Sequence, residues 1–153
     1  MRLRFVLNGE EVVEEVEPSL LLCQHLREAH GLFGVKVGCD SSSCGACTVL
    51  VDGSPARSCS LLALQAEGRQ ITTIEGLACG PLAARVAGEL VSRCGTQCGF
   101  CTPGIVVVAT WLLAGAGAGG EKEVRAALAG NLCRCTGYHN IVESIVALGE
   151  AGQ

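Results

Sequence analysis

The chain has 153 residues, a formal net charge of -4, 49% hydrophobic residues and only 17% charged ones. That balance predicts a packed core, in one domain or two small ones, and excludes a disordered chain. With no basic cluster and 3% aromatic residues, the sequence offers nothing to grip a phosphate backbone or stack bases, so no nucleic acid is expected as a partner.

Residues 2 to 16 alternate, with Leu3, Phe5 and Leu7 on one face, Asn8-Gly9 as a type I′ turn signal, and Val12, Val13 and Val16 among glutamates. This predicts a β-hairpin. Pro18-Ser19 then opens a helix in which Leu20, Leu21, Cys23, His25, Leu26 and Ala29 recur at helical spacing, with Gly31 as its C-cap. Residues 34 to 47 hold too many Gly and Ser for regular structure and read as a wrapped loop. Thr48 to Val51 reads as a strand, Asp52-Gly53 as its turn, and the chain returns through Ala56-Arg57-Ser58 to Cys59 before a last strand from Gln70 to Ile74. Strands around one helix predict a small α+β domain of the β-grasp kind over residues 1–77.

Beyond Leu77 the strand signals end, and Ala78-Cys79-Gly80-Pro81 marks the predicted boundary. Residues 78–153 read as helical throughout: Leu82 to Ser92, Thr102 to about Ala114, Glu121 to Ala129, and Ile141 to Leu148. Four short helices predict a compact bundle. The longest apolar run, Gly104 to Ala118, is too short to cross a bilayer and reads as a core helix, so no membrane insertion is expected. The N-terminus runs straight into the hairpin with no leader pattern, and a cytoplasmic protein is expected.

Eleven cysteines carry the chemistry. In a reducing compartment such density favours metal or cluster binding over disulfides, and an odd total suits full pairing badly. The first constellation is Cys39-x4-Cys44-x2-Cys47-x11-Cys59, the spacing of a plant-type [2Fe-2S] site with its distant fourth cysteine. Gly38 and Gly45 suit a loop that must curl closely around its sulfurs. A zinc site of four cysteines usually shows two short knuckles and has no need of the four-residue gap.

The second constellation is Cys98-x2-Cys101-x31-Cys133-x-Cys135. By spacing alone it fits zinc as well as an iron–sulfur cluster. A redox dithiol at Cys98 and Cys101 would leave Cys133 and Cys135 idle. Pro103 fits the first turn of a helix after Cys101, so this pair is expected at a helix N-terminus that steadies thiolate charge, and Cys133 and Cys135 are expected to precede another helix in the same way. Gly115-x-Gly117-x-x-Gly120 matches a dinucleotide fingerprint but no βαβ unit can be drawn around it, so it reads as an interhelical loop. His25, His30 and His139 read as helix or surface residues, Cys79 and Cys94 as buried small hydrophobes, and Trp111 as packing. No acid–base or nucleophilic arrangement has supporting context. Electron transfer is what remains.

With both sets placed, the chain resembles the small iron–sulfur subunit of the molybdenum hydroxylase family, which includes xanthine dehydrogenase, aldehyde oxidoreductase and aerobic carbon monoxide dehydrogenase. The resemblance covers almost the whole chain. It rests on Gly38-Cys39-Asp40, Cys44-Gly45-Ala46-Cys47-Thr48-Val49, Ile71-Thr72-Thr73-Ile74-Glu75-Gly76-Leu77, Gln97-Cys98-Gly99-Phe100-Cys101-Thr102-Pro103-Gly104 and Gly130-Asn131-Leu132-Cys133-Arg134-Cys135-Thr136-Gly137-Tyr138. The family implies two [2Fe-2S] clusters, a plant-ferredoxin-like N-terminal domain and a C-terminal four-helix domain. It also implies a direction: electrons leave molybdopterin cytosine dinucleotide in a large subunit, cross the cluster of Cys98, Cys101, Cys133 and Cys135, then that of Cys39, Cys44, Cys47 and Cys59, and reach FAD in a medium subunit. Gln97 and Cys135 match family positions that lie against the pterin. The rival reading is a free-standing two-cluster electron carrier, against which a mean hydropathy of +0.42 suits permanent interfaces better than a soluble shuttle.

Overall fold

The computed structural model describes residues 1–115 and 120–151. Strands β1 (Arg2–Leu7) and β2 (Glu10–Glu15) form the expected hairpin. Its two turn residues take the positive φ values of a type I′ turn, 51° at Asn8 and 91° at Gly9. Strands β3 (Thr48–Val51) and β4 (Ser54–Arg57) form a second hairpin around Asp52-Gly53. Strand β5 (Gln70–Thr72) inserts between the hairpins, parallel to β1 and antiparallel to β3, giving the sheet order β2-β1-β5-β3-β4.

One face of this sheet packs on helix α1 (Leu22–Glu28), where Leu3, Phe5, Leu22, Leu26, Val49 and Ile71 are fully enclosed. Each such side chain contributes roughly 1.5–3 kcal/mol by leaving water. Helix α1 begins later than the periodicity predicts. The Leu20 carbonyl accepts from the Ala63 amide and the Leu22 amide donates to the Leu61 carbonyl (both 2.8 Å), while Leu21 bridges Leu62, so Leu20 and Leu21 stay extended and the helix starts at Leu22.

The predicted last strand is also shorter than expected. The Asn8 side chain accepts from the Thr73 amide (2.9 Å) and donates to its hydroxyl (3.1 Å). That contact ends β5 and turns the chain into a short helix, α2 (Ile74–Ala78). Glu75 on α2 accepts from the Gly34 amide (2.7 Å), while Ile74 and Leu77 pack on the helical core.

The remaining helices are α3 (Pro81–Ser92), α4 (Thr102–Ala114), α5 (Glu121–Leu128) and α6 (His139–Glu150). Helix α3 packs on α4 and α6, and α5 packs on the same two, around Val86, Leu90, Ile105, Val124, Leu128, Ile141 and Ile145. Helix α4 is apolar on every side, with residues 104–110 all buried, because it also packs on β3 and β4. Most of the Gly115–Gly120 motif lies outside the described residues. Among the described residues, no helix is long and apolar enough to cross a membrane.

The sheet half and the helical half meet backbone to backbone. The Leu132 amide donates to the Cys44 carbonyl (2.7 Å), and the buried Asn131 side chain donates to the Gly45 carbonyl (3.0 Å). Gly45 has φ +68°, and a Cβ there would stand 2.2 Å from the Gly130 carbonyl oxygen; a Cβ on Gly104 would stand 2.6 Å from the Gly45 oxygen. We therefore expect Gly45→Ala to cost about 2–5 kcal/mol, from left-handed strain plus overpacking. Gly53→Ala is the control, since Gly53 has φ +78° with open space around its Cβ position and should cost only about 1–2 kcal/mol. Denaturant unfolding of the iron-loaded chain measures both, and equal losses would contradict the packing constraint.

Candidate metal centres

The loop of residues 38–47 wraps because backbone groups are drawn toward sulfur. The Cys39 sulfur accepts from the amides of Ser41 (3.5 Å) and Cys44 (3.4 Å), which pulls its thiol down to about 6. Asp40 and Ser42 take positive φ, 52° and 60°, to aim those amides inward. Gly38 has a different task from a turn: a Cβ there would stand 3.2 Å from the Cys44 sulfur and 3.1 Å from the Phe100 ring. At the other end of the loop Cys47 is buried, and burial with the adjacent Cys59 thiol pushes it up to about 11. Cys59 reaches this position on a 3-10 turn whose Ser58 hydroxyl donates to the Cys47 carbonyl (2.7 Å). Burial, then the neighbouring Cys59, also raises the thiol of Cys23 on α1.

In the second quartet, Cys101 is the N-cap of α4, with Pro103 in the first turn as expected. Cys133 and Cys135 differ from the expectation, because α6 starts only at His139 and neither caps it. They are held instead by Tyr138, which has φ 69° at the helix entry. Its hydroxyl donates to the Asn131 carbonyl (2.7 Å) and accepts from the Cys133 amide (2.7 Å). Burial works against a Cys133 thiolate, but the Thr136 hydroxyl at 3.0 Å and the amides of Thr136 and Cys135 outweigh it and lower this thiol. Cys101 goes the other way, up to about 12, through burial and the adjacent Cys133 sulfur. Cys135 stands 3.6 Å from Cys98, sulfur to sulfur.

Each quartet thus divides into two pairs: Cys39 with Cys44, Cys47 with Cys59, Cys98 with Cys135, and Cys101 with Cys133. A single zinc ion would gather all four sulfurs about 3.8 Å apart at Zn–S distances of about 2.3 Å. Among the described residues, no three cysteine sulfurs close to within 4.8 Å of one another. Two thiols per metal in two adjacent pairs is the donor set of a two-iron cluster, and the residues fit that group. Thiols held above neutral by burial give up their protons to a bound metal rather than to water.

Cys44, Cys98, Cys101, Cys133 and Cys135 all line one cavity of about 180 Å³ with Phe100 and Leu132. Cys98 and Cys135 are exposed, and so is Gln97 beside Cys98 in the chain. Phe100 and Leu132 remain 47% and 56% exposed beside them, an apolar surface that a free chain would leave wet.

Other expectations fail. Cys79 and Cys94 are exposed, not buried, since Cys79 caps the short α2 and Cys94 follows the end of α3. Trp111 is 40% exposed and lines a groove with Pro55, Arg57 and Asn131. His25 does lie on α1, as expected, and His30 just beyond it, but both meet Glu14 of β2. Tyr138, Thr136 and Asn131 carry site geometry that ligand spacing could not assign; the signal was the run of hydrogen-bonding residues around Cys133 and Cys135.

Residues 5–83 match the family described as 2Fe-2S iron-sulfur cluster binding domain, and residues 73–146 match the [2Fe-2S] binding domain family. The chain is 42% identical over 142 residues to caffeine dehydrogenase subunit gamma of Pseudomonas sp. (strain CBB1), covering 91% of this chain and 85% of that one. It is 45% identical over 145 residues to the xanthine dehydrogenase iron-sulfur-binding subunit of Escherichia coli O157:H7, covering 92% and 89%. Among solved structures it superimposes on quinoline 2-oxidoreductase from Pseudomonas putida 86 with a TM-score of 0.90 and 45% identity, covering 99% of this chain and 94% of that one.

Tyr138→Phe removes two hydrogen bonds around Cys133, and we expect a loss of about 1–3 kcal/mol from the unpaired groups it leaves. Denaturant unfolding followed by iron absorbance measures it, and an unchanged midpoint would show that the tyrosine does not hold the turn.

Proposed function

Because the chain belongs to the small iron–sulfur subunits of the molybdenum hydroxylase family, we propose that it is the electron relay between two larger subunits of one oxidoreductase. One is a large molybdopterin-binding subunit and the other a medium FAD-binding subunit. The relatives' names as subunits gamma and iron-sulfur-binding support a built-in component over a free-standing carrier. The observation that carries the reading is the pairing of eight thiols into two adjoining quartets, one of which opens to the surface.

Cys39, Cys44, Cys47 and Cys59 would hold one [2Fe-2S] cluster, and Cys98, Cys101, Cys133 and Cys135 the other. Each cluster, when bound, takes up and releases a single electron. The residues of this chain set the conditions for that exchange. The Ser41 and Cys44 amides aim at the Cys39 sulfur and the Thr136 hydroxyl at the Cys133 sulfur, and donors of this kind tune the charge a ligated sulfur tolerates. Phe100 and Leu132 form an apolar collar that excludes water when a partner covers it.

That collar supports placing the second quartet against the large subunit, with Gln97 and Cys135 toward its molybdopterin cytosine dinucleotide, and the first quartet toward FAD. Two separate hydrophobic cores support a division into a ferredoxin-like β-grasp domain over residues 1–77 and a four-helix-bundle domain over 78–153. The cysteines are free thiols, which supports a cytoplasmic location. Substrate choice belongs to the large subunit.

Low-temperature electron paramagnetic resonance with spin counting tests the relay. On stepwise reduction the complex should give two signals of about one spin each. Cys101→Ser should lose one signal and half the iron while the other signal persists. A single signal in the wild-type complex, or zinc in the second quartet, overturns the assignment. Leu132→Glu should keep its iron but lose co-purification with the large subunit; undiminished co-purification would place that subunit elsewhere.

A further inference from the structure

Glu14 is the acidic residue that the inward face of β2 half-buries; Glu10, at the start of the same face, is exposed. Register pairs Glu14 with Leu3 and pairs Val12 with Phe5, so Glu14 lies on the same face as two fully enclosed side chains. Val16, two residues on, is buried as well. A carboxylate in that row requires partners. Those it has are imidazoles: Glu14 Oε1 lies 2.6 Å from His25 Nε2 and 3.0 Å from His30 Nε2. His25 is only 3% exposed, the His30 and Glu14 side chains 20% and 26%.

Phe5 packs against both rings, with centroids 6.2 and 6.3 Å away, and the two imidazoles meet edge to face at 5.0 Å. All three ligand atoms lie within 4.8 Å of one another, the one group of three His, Cys, Asp or Glu side chains that converges so closely among the described residues. Nearby cations are committed elsewhere: Arg27 donates to the Val35 carbonyl (2.8 Å) and Arg4 pairs with Glu11.

We propose that Glu14, His25 and His30 form a binding site for one zinc-type divalent cation, separate from the cysteine quartets. Two imidazole nitrogens and one carboxylate oxygen are the donor set that zinc takes with three protein ligands and an open fourth position. Imidazole and carboxylate together suit such an ion and cannot hold an iron–sulfur cluster built on thiolates. The partial exposure of His30 and Glu14 gives the cation a way in and a water for its fourth position. The site ties the edge strand β2 to α1 and to the turn after it. Because α1 also carries Cys23 beside Cys59, the cation clamps the scaffold of the first quartet from the side away from it.

The test uses the full chain with its iron in place, treated anaerobically with a chelator and then dialysed against low-micromolar zinc chloride. Zinc and iron are counted together for wild type, Glu14→Gln and His30→Gln. Wild type should retain one zinc per chain with iron unchanged, and its thermal midpoint should rise with zinc. Either variant that keeps its iron should retain no zinc and show no rise. A wild type that retains no zinc overturns the proposal, as does a variant with full iron that retains as much zinc as wild type.

Discussion

The contact between residues 44–48 and 130–132 is the constraint on which the remaining architecture depends. The Leu132 amide meets the Cys44 carbonyl while the Asn131 side chain meets the Gly45 carbonyl and, at 3.4 Å, the Thr48 hydroxyl. On each side the neighbouring residue is a cysteine of a quartet. A displacement of either half by an ångström would break bonds to buried groups, each costing about 1–3 kcal/mol when left unpaired. Close approach of the main chains is what allows this, and it is the reason glycines stand at 45 and 104, while Gly130 leaves room for the Arg57 guanidinium. The two thiol sets are thereby fixed against each other by backbone, the least adjustable material the chain has.

From that contact outward, the thiols grade from enclosed to open. Cys47 and Cys59 are buried with the sheet core, Cys101 and Cys133 lie at intermediate depth or beneath the turn, and Cys98 and Cys135 face outward. Local dielectric follows the same gradient, and with it the cost of changing charge at each sulfur. Cys39 and Cys44, at intermediate exposure, keep the first quartet within reach of a second partner, as a one-electron carrier between two partners requires. The apolar surface at Phe100 and Leu132 lies at the outward-facing end.

Both hairpins, the strand Thr48–Val51 and helix Thr102–Ala114 were legible in the sequence, because turn chemistry and an unbroken apolar run are local signals. The cysteine spacings pointed to two sets, and the structure brings those thiols together as four close pairs. What was not legible depends on distant partners. Helix α1 starts late because Leu61 and Ala63 claim the backbone before it, and β5 stops early because Asn8, more than sixty residues away in sequence, caps Thr73. Neither appears in a window of periodicity. The histidines look unremarkable singly, and only the β1–β2 register shows that Glu14 points inward toward them. Exposure of Cys79 and Cys94 was misread for a related reason: cysteine is usually buried, and helix ends are an exception that composition does not mark.

The turn held by Tyr138 carries a consequence for the order in which the protein comes into being. All four cysteines of the first quartet are made before the first of the second, and they span twenty-one residues, 39 to 59. The second quartet waits for Cys135, for the tyrosine three positions later, and for α6 to seat against α3 and α5. A nascent chain can therefore gather its inner thiols early, but the loop that carries them gains its bonds to Asn131 and Leu132, and the outer centre its last thiol, only near the end of synthesis. The apolar collar of Phe100 and Leu132 is thus finished in the same step that locks the loop of the first quartet, so the surface a partner would cover and the spacing of the two thiol sets are set together.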